Sequence, residues 1–434
     1  MKKSKYIVTA KYNYKLLAMS LVSKDILVVD DTEIEDFNYS LNNCNNITTK
    51  YFNQLLESSF IIDDDVSEIE ELKKYNYINV ENPEIYTITI IPTFLCNLKC
   101  SYCYESNMNF LRKSFTINDW ENLYLFIEKI IKNGIKKIGI NFYGGEPSLK
   151  ADEIKNFINK ISKNKDFYHV SFHYSISTNL HNIKHDFLNF MIENKFKRID
   201  TTIAGTKKIH NLLRKNDALD DNYDFVIKNI KTLVNNNINV CICINVSKYN
   251  INNLIEIIDN ISSEINSPRI YFSFLKIFTY ANCHCEELVV EESDYQTKII
   301  EAMNYCLDNN INVMDMSCFE SNGIFCSAYL NNSISVAPGG LVFKCSEQFS
   351  PDNSFGYLKD GEVIITNPKL FECKNCFKNE KCIKCKYLPY CYGGCMESER
   401  RGRSACPPEL DFFEQYLILY YKRILKGGEN NEGD

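Results

Sequence analysis

Strands and helices alternate regularly between about residues 85 and 280, and this alternation constrains the fold more than any other feature of the sequence. Apolar runs such as YTITIIPT, IKKIGINFYGG and NVCICINVS are each followed by a helical pattern such as DWENLYLFIEKIIKNG. Six such pairs predict a parallel sheet, because parallel neighbours need a crossover connection and a helix supplies it. We therefore predict an α/β fold whose sheet is either open or curled into part of a β/α barrel.

Different patterns flank this region on both sides. Residues 1–82 contain three short β-rich runs and then two helical patterns, which predict a small α+β domain that ends at Asn82 and Pro83. From about residue 310, short strands and Gly or Pro turns lead into a Cys-dense stretch and a final helix. The tail, residues 426–434, is rich in Gly and acidic residues and is predicted to be disordered.

The composition narrows the class of protein. The chain has 434 residues, of which 24% are charged, and its net charge of −7 gives no reason to expect a nucleic-acid partner. No stretch is apolar enough to cross a bilayer, and the first residues do not resemble a signal peptide. The 19 cysteines therefore indicate a cytoplasmic protein whose thiols are reduced and bind metal, since disulfide scaffolds are short and secreted.

A first group of cysteines follows the first strand of the alternating region. The segment TFLCNLKCSYCYE places Cys96, Cys100 and Cys103 in a CxxxCxxC arrangement on a loop. Three thiolates at this spacing suit three irons of a four-iron cubane and leave the fourth iron without a protein ligand. A structural zinc site is the alternative, but zinc would need a distant fourth ligand.

This motif, with Tyr102 before the third cysteine, resembles the signature of the radical S-adenosylmethionine (SAM) superfamily. The resemblance implies a partial (β/α)6 TIM-like barrel and a [4Fe–4S] cluster whose open iron binds SAM. An electron donor such as flavodoxin or ferredoxin would reduce this cluster. Reductive cleavage would give methionine and a 5′-deoxyadenosyl radical, which abstracts hydrogen from the substrate.

Two strand ends carry further residues that match the family. The second strand ends in FYGGEPS, which resembles the family's segment that hydrogen-bonds the SAM ammonium: Gly144, Gly145, Glu146 and Pro147. The third strand ends in STN, so Ser177 and Asn179 are predicted to contact SAM at the mouth of the barrel. Two positions depart from the pattern of many relatives, since Ala204 replaces an Asp and no Arg lies near Cys243.

The C-terminal cysteines resemble the seven-cysteine pattern of the SPASM extension found on peptide-modifying radical SAM enzymes. The resemblance implies two auxiliary [4Fe–4S] clusters. One would use Cys326, Cys345 and Cys395, with Cys318 as the nearest upstream thiol, and the other would use Cys382, Cys385, Cys391 and Cys406. Zinc ribbons are the alternative, because CxxC pairs also suit tetrahedral zinc. Cys373 and Cys376 could compete for a cluster.

These resemblances imply three domains and a function. We expect a winged-helix-like domain similar to the leader-recognition (RRE or PqqD-like) domain of peptide maturases over residues 1–82, a radical SAM core over 85–290 and a SPASM domain over 310–425. The favoured function is an oxidoreductase that forms a thioether, or another crosslink, in a ribosomally made precursor peptide with a leader. Ser346 favours this choice, because sulfatase maturases usually carry an acid at the matching position. Glu347, the next residue, is an acid that reduces the force of this argument.

Two alternatives remain open. One is an anaerobic sulfatase-maturating enzyme, which forms formylglycine, and the other is a non-catalytic metal-binding module. The residues alone assign no catalytic side chain beyond those that would hold the first cluster.

Overall fold

The computed structural model describes residues 1–80, 84–105, 113–215, 221–279, 285–314, 319, 326–346, 349–371 and 375–430. The chain folds into two compact units. The first unit comprises Met1–Glu81, Asp315–Leu330 and Cys373–Asp434, and the second comprises Asn82–Met314 and Asn331–Glu372. In the described part of the chain, no helix combines the length and hydropathy needed to cross a bilayer.

The N-terminal region of the first unit is an antiparallel three-stranded sheet with three helices. Its elements are β1 (Lys2–Lys3), β2 (Ile7–Tyr12), β3 (Lys15–Ser20), β4 (Ile26–Asp30), α1 (Ile34–Asn42), α2 (Phe52–Glu57), β5 (Ile61–Ile62) and α3 (Glu68–Val80). The sheet order is β2-β3-β4, and β1 pairs with β5. The three predicted strands are confirmed. Helix α1 was not predicted, because Phe37 and Leu41 are its only buried apolar residues, and it depends on their packing into the local core.

The second unit begins with the alternating region. Its strands and helices are β6 (Ile85–Thr93), β7 (Lys99–Cys100), α4 (Ile117–Lys132), β8 (Lys137–Gly144), α5 (Ala151–Lys163), β9 (Ser171–Ser177), α6 (His185–Glu193), β10 (Arg198–Thr202), α7 (Lys207–Leu213), β11 (Arg214–Lys215), α8 (Asn222–Asn235), β12 (Val240–Val246), α9 (Leu254–Ile265), β13 (Ile270–Lys276), α10 (Glu292–Asp308) and β14 (Asn312–Val313). The six predicted parallel strands are β6, β8, β9, β10, β12 and β13, and all are confirmed.

Helices cover the sheet through apolar faces. In α4, the Thr116 side chain and the Asp119 carboxylate form a capping box that satisfies amides at the helix start. The buried face of the same helix follows the 3.6-residue period with Leu123, Phe126, Ile127, Ile130 and Ile131. Because every strand of this parallel region points the same way, its carboxyl ends and the loops after them meet at one mouth.

The remaining elements complete both units. They are β15 (Ser333–Ala337), β16 (Leu341–Phe343), β17 (Gly356–Lys359), β18 (Glu362–Ile365), α11 (Pro368–Phe371), α12 (Glu380–Lys384), α13 (Leu388–Cys391), α14 (Met396–Arg400) and α15 (Phe413–Asn430). Strand β15 pairs in parallel with β6, so one sheet runs β14-β13-β12-β10-β9-β8-β6-β15-β16-β17-β18.

This arrangement divides the chain differently from the predicted domain boundaries. Residues 331–372 extend the barrel sheet because β15 bonds to its edge strand β6. Residues 373–434 belong with the N-terminal region, where Tyr12 of β2 makes an edge-to-face contact with Tyr421 of α15 at 6.3 Å between ring centroids.

The predicted disordered tail needs one correction. Helix α15 continues through residues 426–430, which the sequence analysis assigned to the tail. Helix propagation adds one hydrogen bond per residue to an existing helix, and the buried Leu417 and Leu419 anchor the preceding turns.

Candidate active site

A cavity of about 670 Å³ lies at the carboxyl ends of the parallel strands in the second unit. Cys96, Cys100 and Cys103 all line it. The Cys103 amide donates to the Cys100 carbonyl at 3.1 Å, which closes a tight turn between these two thiols. Cys96 is exposed to the cavity, yet the surrounding protein excludes enough water that burial raises the pKa of its thiol to about 12.

The glycine pair after β8 packs directly against the segment that leads to Cys96. Gly144 has φ +109°, and a Cβ on Gly145 would lie 2.4 Å from the Leu95 carbonyl oxygen. The Gly145 and Glu146 amides donate to the carbonyls of Thr93 and Leu95 at 3.1 and 2.8 Å. Both glycines line the cavity. The pair therefore holds the cysteine loop, and its predicted contact with SAM remains a prediction.

Glu146 is fully buried and is not among the residues that line the cavity. Its carboxylate accepts hydrogen bonds from the Thr178 hydroxyl at 2.6 Å, the Asn179 amide at 2.7 Å and the Ser148 amide at 2.9 Å. Pro147, also buried, begins the short 3-10 helix that follows. In the described structure, Glu146 thus joins the ends of β8 and β9, and a direct role of Glu146 or Pro147 in cofactor binding remains a prediction.

Asn179 and Ser177, the other predicted SAM contacts, do line the cavity. The Asn179 side-chain amide donates to Asn97 Oδ1 at 2.7 Å and lies 3.8 Å from Cys96 Sγ. The Ser177 hydroxyl donates to Asp200 Oδ2 at 3.5 Å. The structure therefore brings the third-strand motif and the cysteine loop together.

A first prediction concerns the buried carboxylate. Glu146→Gln places an amide nitrogen among groups that all donate hydrogen bonds, so we expect a loss of about 3 kcal/mol in the stability of the second unit. For a unit of this size, that loss lowers Tm by about 6–12 °C. Differential scanning calorimetry measures this, with Glu153→Gln as the control because the Glu153 side chain is 41% exposed and, among the described residues, its only partner in an ion pair is Lys150. Equal Tm values for the two variants would contradict the buried role.

The main residue that the sequence analysis missed is Arg214. It pairs with Cys100 across the short β7–β11 ladder, is 6% exposed and lines the cavity. Its Nη1 donates to the Tyr102 hydroxyl at 3.0 Å, while Nε has no hydrogen-bond partner among the described residues. Burial alone would lower the pKa of the guanidinium, but Cys100 and Tyr102 hold it above its usual value. A fixed cation thus faces the thiols and the cavity.

Two acidic residues that line the cavity were also missed. Burial raises the pKa of Glu105 to about 7, and its Oε1 has no hydrogen-bond partner within the described ranges. Burial also raises the pKa of Asp200, against the opposing effect of Arg198. The Arg198 Nε lies 2.8 Å from Asp200 Oδ1. No spacing in the sequence marked either acid, because Glu105 follows the cysteine loop and Asp200 lies within β10, and only the fold brings both to the cavity.

The C-terminal cysteines of the first unit form a second group. Four thiols lie near one another: Cys382, Cys385, Cys391 and Cys406. Burial is the largest cause that raises the pKa of Cys391 to about 12, and the three neighbouring thiols raise it further. Cys376 is buried beside Cys382. The Tyr329 hydroxyl donates to the Gly394 carbonyl at 3.0 Å, which joins the segments that follow Cys326 and precede Cys395.

The other predicted ligands lie elsewhere. Cys345 belongs to the second unit, just after β16. Cys318, Cys373 and Glu347 lie outside the described residues.

The donor sets suit iron–sulfur clusters. Within the described residues, no group of three or more His, Cys, Asp or Glu side chains could hold a single metal ion. A four-iron cluster does not need several side chains around one point, because each of its irons binds one thiolate. Three thiols facing one cavity beside a buried cation, and four mutually close thiols in the first unit, match that demand.

Comparisons with known proteins agree with the geometry. A model of the Radical SAM superfamily matches residues 90–261. A cysteine-type anaerobic sulfatase-maturating enzyme of Clostridium perfringens is 24% identical over 370 residues, covering 77% of this chain and 96% of that protein.

Two solved structures are similar over most of the chain. The anSMEcpe enzyme with bound AdoMet and the Cp18Cys peptide has a TM-score of 0.64 at 18% identity and covers 80% of this chain and 99% of its own. Streptococcus suis SuiB bound to its precursor peptide SuiA has a TM-score of 0.52 at 16% identity and covers 93% of this chain and 98% of its own. At these identities the two structures show the fold alone.

Proposed function

We propose that this chain, a radical SAM enzyme, is a SPASM-type peptide maturase that crosslinks a ribosomally made precursor. The bond we favour is a thioether between a precursor Cys sulfur and a carbon of an acceptor residue.

The extent of the fold similarity carries this proposal. The similarity to SuiB covers 93% of this chain, whereas the similarity to the sulfatase-maturating enzyme structure covers 80%. A similarity that covers 93% of this chain includes most of the N-terminal region. A leader-recognition role requires this region. The SuiB structure holds a precursor peptide, and this supports a peptide as the partner of this chain.

The N-terminal region offers a place for an extended leader. Strand β2 is an edge of the three-stranded sheet. A groove of about 500 Å³ lies beside it, lined by Lys3, Ser4, Lys5, Ile7, Thr9, Phe37, Asn38 and Leu41. An extended peptide can add to a sheet edge through main-chain hydrogen bonds while alternate side chains enter pockets. We propose that the leader binds in this groove.

The second unit would supply the reaction chamber. Cys96, Cys100 and Cys103 would hold the cluster to which SAM binds, and the bound pair supplies a 5′-deoxyadenosyl radical. Arg214 would balance the negative charge of the thiolates, and its Nε–H would be available to the SAM carboxylate. A cavity of 670 Å³ falls within the range of sites that enclose small ligands.

Crosslinking also requires a proton acceptor. A thioether forms when the acceptor carbon loses a hydrogen atom to the 5′-deoxyadenosyl radical and the Cys thiol loses a proton. Joining the carbon radical to the thiolate releases one electron, which an auxiliary cluster would accept. In our proposal, Asp200 Oδ2 takes the thiol proton. Ser177 and Arg198 orient this carboxylate at the cavity wall.

The C-terminal cysteines would hold auxiliary clusters. We propose that Cys382, Cys385, Cys391 and Cys406 hold one, and that Cys326, Cys345, Cys395 and Cys318 hold the other. A fully loaded chain would then contain about twelve irons.

The test is co-expression with a small Cys-containing peptide encoded beside this chain. We expect each crosslink to remove two hydrogens from the peptide, detected by mass spectrometry, and fragmentation to place the link between a Cys and its acceptor. If the leader binds the N-terminal region, a peptide without its leader should be modified at least about tenfold more slowly, since docking raises its effective concentration.

A second candidate function is formylglycine formation. The 24% identity to a sulfatase-maturating enzyme over 96% of that protein favours it. Incubation with a Cys-containing sulfatase peptide distinguishes the two functions, because an aldehyde product would support this candidate and an unchanged sulfatase peptide would support the crosslinking maturase.

A further inference from the structure

Two lysines of the N-terminal region donate hydrogen bonds to the helices that carry Cys382 and Cys391 in the same unit. Lys5 Nζ donates to the Ile383 carbonyl at 2.8 Å, and Lys24 Nζ donates to the Pro389 carbonyl at 3.2 Å. Ile383 lies in the last turn of α12, and Pro389 lies in α13. Carbonyls at the end of a helix lack a partner within the helix, so each ammonium satisfies one of them.

These two short helices carry the thiols. Helix α12 contains Cys382 and is followed directly by Cys385, while α13 ends at Cys391. Each lysine therefore holds a backbone turn that positions one or two of the four mutually close thiols. Lys5 follows β1, and Lys24 lies in the turn between β3 and β4, so the two contacts come from separate parts of the N-terminal region.

Tyr6 follows Lys5 directly in the sequence, and its hydroxyl is buried. The residue is 0% exposed, and its hydroxyl has no hydrogen-bond partner among the described residues. Burial raises the pKa of Tyr6, and the neighbouring Glu68, Tyr392, Cys385 and Cys376 raise it further. A buried hydroxyl without a partner is costly unless a ligand supplies one. The sulfur atoms of a cluster beside Cys385 and Cys376 would accept its hydrogen bond.

We propose that Lys5, Tyr6 and Lys24 form the outer support of the auxiliary cluster held by Cys382, Cys385, Cys391 and Cys406, so that the N-terminal region and this cluster stabilise each other. The inference rests on the proposed cluster set. Residues that orient the ligands of a metal site affect its affinity, and hydrogen bonds to cluster sulfurs raise the reduction potential. The stabilisation is reciprocal, since a group that binds only the folded state stabilises that state.

The first test removes single groups from the reconstituted full chain. We expect Tyr6→Phe to weaken iron retention against a chelator by about tenfold. We also expect it to shift the auxiliary cluster to lower potential in an EPR-monitored titration, where each tenfold change in the reduction equilibrium is 59 mV for one electron. Tyr14→Phe is the matched control, because Tyr14 is 88% exposed in the turn between β2 and β3 of the same region.

A second variant, at the two lysines, tests the proposal even if Tyr6→Phe disturbs folding. The double variant Lys5→Met and Lys24→Met keeps both apolar stems and removes both ammonium contacts, and it should also release iron faster. Lys11→Met, an exposed position on β2, is its control. If Tyr6→Phe and the lysine variant both match wild type in iron retention and potential, the proposal is wrong.

The second test removes the cluster and measures the effect on the N-terminal region. Iron removal from the wild-type chain should accelerate amide hydrogen exchange at least tenfold in Ile7–Tyr12 and Lys15–Ser20. Amides of Leu254–Ile265 in α9, a helix that does not line the cavity, serve as the internal reference. Unchanged exchange in the N-terminal strands would overturn the coupling. An iron content of about four per chain would overturn the proposed auxiliary clusters and this inference together, and the iron assay identifies that failure independently of exchange.

Discussion

Simultaneous replacement of Cys96, Cys100 and Cys103 by Ala is expected to abolish 5′-deoxyadenosine formation and to remove about four irons from the reconstituted chain. All three thiols line one cavity. Without them, Cys243 is the one described thiol left in the cavity lining, and a single thiolate does not hold a four-iron cluster. The measurements are iron analysis after anaerobic reconstitution and chromatographic detection of 5′-deoxyadenosine with dithionite and SAM.

The matched control is Cys241→Ala, which alters a buried cysteine of β12 that does not line the cavity. This variant should retain full iron content and SAM cleavage. Residual SAM cleavage in the triple variant at the wild-type rate would show that another site produces the radical. Zinc in place of iron in the wild-type chain would support a metal-binding module.

Arg214→Met is expected to weaken SAM binding by about 100-fold or more. Truncating one partner of a buried charge pair costs about 2–5 kcal/mol, largely because the opposite charge is left uncompensated. Here the uncompensated groups would be the thiolates near Cys100 and the carboxylate of SAM. Equilibrium dialysis of labelled SAM against the reconstituted protein measures the change, and iron analysis reports whether the cluster survives.

Two further variants refine the role of Arg214. Arg214→Lys keeps the charge but loses the planar fork, so its SAM affinity should lie between those of wild type and Arg214→Met. Arg269→Met is the control, since Arg269 precedes β13 at the opposite end of the strand and donates to Asn239 Oδ1. If Arg214→Met binds SAM as tightly as the control, Arg214 does not contact the cofactor.

The sequence predicted the barrel well because periodicity is a local signal. Each parallel strand is a buried apolar run, and each helix repeats apolar residues at the helical period, so both can be identified without tertiary contacts. The extension of the sheet by β15 could not be identified in this way. Its pairing with β6 joins Ser333 to Thr87, and no local pattern encodes a partner so distant in sequence.

The sequence predicted those residues of the candidate site that belong to a short motif of neighbouring residues. The three cysteines and the glycine pair are such motifs, and the structure places all five at one cavity. Arg214 was missed because the two-residue ladder that sets it opposite Cys100 is too short to be recognised. Glu146 could be found, but its hydrogen bonds to Thr178 and Asn179 depend on how two strand ends meet.

The composition of the first unit has a consequence for synthesis on the ribosome. Residues 1–81 leave the ribosome before the other segments of their unit, residues 315–330 and 373–434. At about 5–20 residues per second, synthesis of the intervening barrel imposes a delay on the order of 15–60 s. During that interval β2 lacks its contacts with α15, so the apolar surface that this helix packs against is exposed to non-native contacts. We expect slow translation of the barrel segment to favour aggregation of the nascent chain.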